Sequence, residues 1–146
     1  MISKDRHKLY LLSEGRIVNE YKVSFGFGYK QGAKFKEGDG RTPEGMYSVA
    51  FKNSNSKFHM ALKVSYPNKN DILVAQKLNE SPGSDIMIHG LPGSMIDNLI
   101  PSVIQRIHTL IDWTQGCIAV TDPEIEEIFS LVQEKTPIEI CGLSKP

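Results

Sequence analysis

The run Gly116-Cys117-Ile118-Ala119-Val120-Thr121-Asp122-Pro123-Glu124 constrains this chain more than any other stretch. A glycine turn leads into a short β-favouring run, and a dense helix-start signal follows at once. Thr121 caps that helix with Glu124 closing a capping box, or Asp122 caps it with Pro123 at the first helical position. The cysteine therefore sits where a turn meets a strand, held between two rigid elements. Gly116 has no Cβ, so another molecule can come close to the backbone beside the sulfur. A free cysteine is ordinarily a small buried hydrophobe, so the position alone does not make it a nucleophile.

The 146 residues suit one domain, residues 1–146, with a real core. Seventeen basic and seventeen acidic residues leave no net charge, which argues against nucleic acid or an anionic membrane as a partner held by charge. No apolar run approaches the roughly 18 residues of a membrane span. The opening Met1-Ile2-Ser3-Lys4-Asp5-Arg6 lacks the apolar core of a signal peptide, so the expectation is a cytoplasmic chain or one whose leader is removed. Cys117 and Cys141 are far apart, and His7, His59, His89 and His108 show no metal-binding spacing. No metal and no cofactor are expected.

Short β patterns dominate. Lys8 to Leu12 and Arg16 to Phe25 predict a hairpin turning at Glu14-Gly15, with Ile17, Asn19, Tyr21 and Val23 on one face. Residues 26–45 hold six glycines and predict a long loop. Gly26-Phe27-Gly28 lacks the third glycine and the βαβ setting of a dinucleotide fingerprint. Strands are expected at Met46 to Phe51, His59 to Val64, Asp85 to Gly90 and Pro137 to Cys141, with a short helix at Asp71 to Leu78. Apolar residues at 96, 99, 100, 103, 104, 107 and 111 predict an amphipathic helix, started or kinked by Pro101. Ile125, Ile128, Phe129 and Val132 predict a second, with its glutamates in water. The fold class expected is mainly β (α+β), with two amphipathic helices.

A thiol needs a base to act as a nucleophile near neutral pH, and imidazole is the usual one. Of the four histidines, His89 is best placed, ending an apolar strand before Gly90. His108 reads as a partly buried packing residue.

Thr114-Gln115-Gly116-Cys117-Ile118 resembles the [S/T]-x-G-C-hydrophobic signature of L,D-transpeptidase (YkuD-type) catalytic domains. Thr42-Pro43-Glu44-Gly45, Ile88-His89-Gly90, the opening hairpin and the terminal strand match the family's order. Ser65-Tyr66-Pro67-Asn68 and the run from Asp112 to Val120 look most like its YafK-like branch. The resemblance implies a β-sandwich of mixed sheets and a cell-wall enzyme of the periplasm or cell envelope. Its substrates would be peptidoglycan stem peptides, attacked by cysteine to give a thioester that passes to an amine or to water. Rival readings are a hydrolase of the same stem peptides and an inactive peptidoglycan-binding module.

Carried over residue by residue, the resemblance makes Cys117 the nucleophile and His89 the base. The Gly90 carbonyl would orient the imidazole, Gly116 and Cys117 N–H groups would bind the oxyanion, and Thr114 would support the turn. Gln115, Arg41 and Tyr66 become substrate-binding candidates. Gln115 stands where many members have histidine, and Ala119 where many have arginine. These two replacements are expected to alter the fate of the thioester. The helix over residues 96–111 fills a long gap between His89 and Thr114 and is expected to wall the cleft.

Overall fold

In the computed structural model, the structure describes residues 1–93, 103 and 107–144. The described strands are β1 (Ile2–Ser3), β2 (Lys8–Ser13), β3 (Arg16–Lys22), β4 (Gly45–Ser56), β5 (His59–Val64), β6 (Met87–His89), β7 (Ile118–Ala119) and β8 (Pro137–Cys141). They form one curled mixed sheet in the order β3-β2-β1-β8-β4-β5-β6-β7. The pairs β1–β8 and β6–β7 are parallel, and the others are antiparallel. β4 makes the curl possible. Gly45 to Ser48 pair with β8, whereas Val49 to Ser56 pair with β5 through two irregularities, and such bulges bend a strand.

The curl brings the sheet's two ends together. Just past β3, Ser24 exchanges both backbone hydrogen bonds with Ala119 of β7, at 3.0 and 2.9 Å. The Thr114 carbonyl accepts from the Phe27 N–H at 3.0 Å, and the Thr114 N–H donates to Phe25 at 3.2 Å. The short strand carrying the cysteine is thus paired on both sides.

Two helices longer than one turn are described, α1 (Lys69–Lys77) and α2 (Asp122–Leu131). α1 begins two residues before the predicted start because Asn68 caps it. Its Oδ1 accepts from the Asn70 and Asp71 N–H groups, while Asp71 Oδ2 accepts from the Asn68 N–H. At α2 the alternatives resolve to Thr121 at the cap, Asp122 being the first helical residue. Glu124 Oε2 accepts from both the backbone N–H and the hydroxyl of Thr121. Ile125 and Ile128 of α2, with Val132 at its C-terminal cap, join the core beside Leu62 and Ile88. Each such fully buried side chain stabilises the fold by about 1.5–3 kcal/mol.

Most predicted strands appear, with two departures. β1 escaped prediction because two residues carry no periodicity. Of the face predicted to be shared, Tyr21 of β3 and Val23 just beyond it are buried, but Ile17 is exposed. A register shift between Leu11 and Leu12 turns the hairpin tip away from the core. The amphipathic helix predicted over 96–111 falls mostly outside the described residues; His108–Leu110 form a single 3-10 turn, with His108 buried.

The glycine-rich segment after Phe25 is a folded loop laid beneath the cysteine turn. A Cβ on Gly26 would lie 2.2 Å from the Gly40 carbonyl oxygen and 2.8 Å from Gly116 Cα. These glycines serve backbone contact between loops, which explains a glycine pattern without a phosphate site. Lys4 secures the same loop from below. Its side chain is fully buried, with Nζ 2.5 Å from the Thr42 carbonyl oxygen and 2.9 Å from Glu44 Oε1. Thr42 Oγ1 in turn accepts from the Gly26 N–H at 3.1 Å.

Candidate active site

Parallel pairing of β6 with β7 sets Ile88 opposite Ile118 and His89 opposite Ala119. His89 and Cys117, 28 positions apart in sequence, consequently line one cleft of about 570 Å³. Thr114 and Gln115 line it too, as do Trp113 and Phe58.

The cysteine turn is tightly specified. Thr114 Oγ1 donates to the Cys117 carbonyl at 2.7 Å and accepts from the Gly116 N–H at 3.2 Å. Upstream, Asp112 Oδ1 accepts from the Phe25 N–H at 2.8 Å, fastening the start of the motif to the sheet. Gly116 has φ +128°, and a Cβ there would lie 2.6 Å from the Arg41 carbonyl oxygen. Both the backbone conformation and the packing exclude any other residue.

The imidazole is held as firmly. His89 is only 2% exposed. Its Nδ1 is 2.6 Å from the Gly90 carbonyl oxygen. A carbonyl only accepts, so Nδ1 carries the proton and Nε2 keeps its lone pair. Phe58 stacks against the ring at a centroid distance of 4.4 Å, and Trp113 meets it edge-on at 5.9 Å.

Burial raises the Cys117 thiol above its ordinary value; the Met87 N–H opposes this, the Asp85 charge adds to it, and Lys34 also opposes it. The sulfur also donates to the Asp85 carbonyl at 3.5 Å. Burial pushes His89 below the ordinary imidazole value, opposed by its bond to Gly90 and reinforced by His108. Both shifts favour the uncharged form, so the resting pair is thiol plus neutral imidazole. The signs have distinct consequences. A histidine held below its ordinary value stays an unprotonated base further into acid than a free imidazole, and a thiol held above its ordinary value yields thiolate only at more alkaline pH than a free cysteine. In a Cys141→Ala background, alkylation of Cys117 by iodoacetamide is expected to be slow at pH 7 and to climb on the alkaline side. A rate already at its plateau at pH 7 would contradict the neutral pair.

Other predicted site residues lie elsewhere. Tyr66 is buried and donates its hydroxyl hydrogen to the Pro82 carbonyl at 2.8 Å. It does not line the cleft. Arg41 also stays out of the lining: its guanidinium lies 4.7 Å from the Phe35 ring centroid and donates to Gln31 Oε1 at 3.2 Å. Ala119 is fully buried between Ser24 and β6, so it does not flank the cleft as expected. The Gly116 N–H, expected to meet an oxyanion, is engaged by Thr114.

The residues that sequence reasoning missed come from distant loops. Lys34 lines the cleft, but its ammonium is held by Asp39 Oδ1 at 2.9 Å and is only 4% exposed, so it is no free cation. Asp85 lines it with a left-handed backbone, φ +59°. No periodicity marks such loop positions; the positive φ at a non-glycine residue is visible only in three dimensions.

A cysteine on a strand-end turn, a histidine held by the next carbonyl and a curled mixed sheet define a class. The chain belongs to the YkuD family, the L,D-transpeptidase catalytic domain, whose profile matches residues 1–140. It is 29% identical over 122 residues to the Escherichia coli (strain K12) protein named "Putative L,D-transpeptidase YafK", a match over 80% of this chain and 38% of that relative. Among solved structures, the helical cell shape determining protein Pgp2 from Campylobacter jejuni superposes with TM-score 0.71 at 27% identity, covering 99% of this chain and 47% of that one. An L,D-transpeptidase from Mycobacterium smegmatis shares the fold at TM-score 0.59 and 14% identity, covering 96% of this chain and 56% of that one. The chain thus spans less than half the length of the first two.

Proposed function

We propose that this domain is a peptidoglycan L,D-transpeptidase of the cell envelope that works through a Cys117 thioester. The observation that carries the reading is that Cys117 and His89 line one cleft within a chain of this family. His89 Nε2 takes the thiol proton as sulfur attacks the carbonyl of a diamino-acid residue in a stem peptide. The oxyanion meets the N–H of Cys117. Collapse breaks the peptide bond, and the imidazolium returns the proton to the departing amine of the terminal D-amino acid. An acceptor amine then attacks the thioester, gives its proton to His89 and regenerates the thiol. Water in place of the amine gives hydrolysis. The neutral resting pair suits this sequence, because proton transfer then accompanies attack.

Incubation of the protein with purified tetrapeptide muropeptides, with and without an amine acceptor, is expected to release the terminal D-amino acid and yield amine-linked products by mass. Release with hydrolysed products alone would make the domain a hydrolase; binding without turnover would make it a recognition module. Gln115 borders the cleft and is exposed, so it is placed to meet the acceptor. It hydrogen-bonds without titrating, unlike a histidine. Gln115→His is expected to change the ratio of amine-linked to hydrolysed product at similar acylation rates. A changed acylation rate with an unchanged ratio would place Gln115 in the first step. The partner substitution Ala119→Arg is unsuitable, since it would bury a guanidinium.

A further inference from the structure

The Gly90 carbonyl that holds the His89 ring is itself held. It shares a single peptide unit with the Leu91 N–H, and that N–H donates to Asp122 Oδ1 at 2.8 Å. On the other side of the same unit, the Gly90 oxygen accepts from His89 Nδ1 at 2.6 Å. A trans peptide is planar, with its N–H and C=O pointing in opposite directions. Carboxylate, peptide and imidazole therefore form one line of hydrogen bonds, Asp122 to Leu91 N–H and Gly90 C=O to His89. We propose that Asp122 is a positioning residue for His89, acting through the Gly90–Leu91 peptide unit, so that carboxylate and peptide together do the orienting work of a directly bonded acid. This assignment rests on the reading of His89 as the base.

Three observations point the same way. First, a Cβ on Gly90 would lie 2.5 Å from Asp122 Oδ1, so glycine is required there for the carboxylate's close approach. Second, Asp122 is released from capping duty, because Thr121 and Glu124 pair at the start of α2. An aspartate in the first turn would otherwise be explained by the helix terminus alone. Third, the preceding peptide is fixed by neutral groups. The Gly90 N–H donates to the Met60 carbonyl at 3.2 Å, and the His89 carbonyl accepts from the Val120 N–H at 2.9 Å. Asp122 supplies the one charged partner among these contacts. A carboxylate on the N–H end polarises the peptide, strengthens its carbonyl as an acceptor and holds the plane against rotation.

The test uses the full chain, labelled with nitrogen-15, and reads the imidazole nitrogens of His89 by NMR beside the rate of carbapenem acylation. Wild type is expected to show the neutral Nδ1–H tautomer. Asp122→Asn keeps an acceptor for the Leu91 N–H but loses the charge, so the tautomer should persist while acylation falls about 10-fold. Asp122→Ala removes both, so the tautomers should mix and acylation should fall roughly 100-fold, the range typical for a group that orients a reacting histidine. Ile138→Val, a core change remote from the cleft, controls for general destabilisation and should leave the His89 signals unmoved. Wild-type tautomer and acylation in folded Asp122→Ala would overturn the proposal. Should that variant not fold, an unaltered acylation rate in Asp122→Asn would overturn it equally. A tautomer change in Asp122→Ala, in a protein whose wild type forms no acyl-enzyme, would refute the thioester reading and leave the positioning role standing.

Discussion

Cys117→Ala is expected to abolish covalent trapping by a carbapenem, with intact-mass analysis showing one adduct on the wild type and none on the variant. The effect should be total, because the acyl group has no other sulfur to accept it in the cleft. Cys141, the other free cysteine, lies at the end of β8 and does not line that cleft. Cys141→Ala should therefore keep the adduct. On the proposed reading, His89→Ala leaves the nucleophile but removes its base, and acylation should slow by about 10²–10⁴-fold, the usual worth of a positioned general base. The thiol makes this dependence steep. Because burial disfavours its ionised form, little thiolate exists at neutral pH to react without help. An adduct of unchanged mass and rate on Cys117→Ala would move the nucleophile elsewhere.

Gly116→Ala should damage the protein twice over. The residue sits at φ +128°, where L side chains are strained, and its new methyl would meet the Arg41 carbonyl oxygen at 2.6 Å. Backbone strain and overpacking each cost about 1–3 kcal/mol. The neighbouring loop cannot yield easily, since the Arg41 N–H is bound to Asp39 and Gly26 already presses on both Gly40 and Gly116. The turn itself must shift, carrying the sulfur with it. A displacement of about 1 Å at a reacting atom costs on the order of 100-fold in rate. Gly15→Ala separates the two contributions: φ is +75° there, but nothing lies within 4 Å of the new methyl, and the hairpin tip is remote from the cleft. Urea unfolding should show the smaller loss in Gly15→Ala, and acylation should fall only in Gly116→Ala. Equal acylation in both would mean that the turn tolerates a side chain.

The sequence was most informative where chemistry and local structure coincide. Cys117, Gly116 and Thr114 lie within four residues, so their hydrogen bonds are nearly dictated by the turn. His89 was found from its strand and glycine, and β5 and β8 were bounded correctly by apolar alternation and flanking turns. Site walls were different. Phe58 and Lys34 reach the cleft from loops more than 30 positions before His89, and no spacing rule links such loops to a cavity; Asp85 lies only four residues before His89, but its turn into the cleft follows from a backbone that no alternation marks. The motifs carry no side-chain direction for Tyr66 and Arg41, neither of which lines the cleft. Both point to partners inside their own surroundings, a carbonyl for one and an aromatic face for the other. Ala119 shows a related limit: it lies two residues past Cys117, yet pairing with Ser24 on one side and β6 on the other buries it.

The joining of Ser24 to Ala119 bears on when the proposed Cys117–His89 pair can assemble. The site's strand pairs on one side with Ser24, 95 positions away, and on the other with β6, 30 positions away, while β8 lies between β1 and β4 in the same curled sheet. Pairings of such sequence separation form late, after the loop-closure entropy has been overcome. A chain emerging from the ribosome therefore carries Cys117 as an ordinary, unaided thiol, with His89 not yet beside it. The proposed imidazole-assisted attack thus becomes available only with the late pairings, whereas the thiol of an unfolded chain, freed from burial, ionises more readily than the folded one.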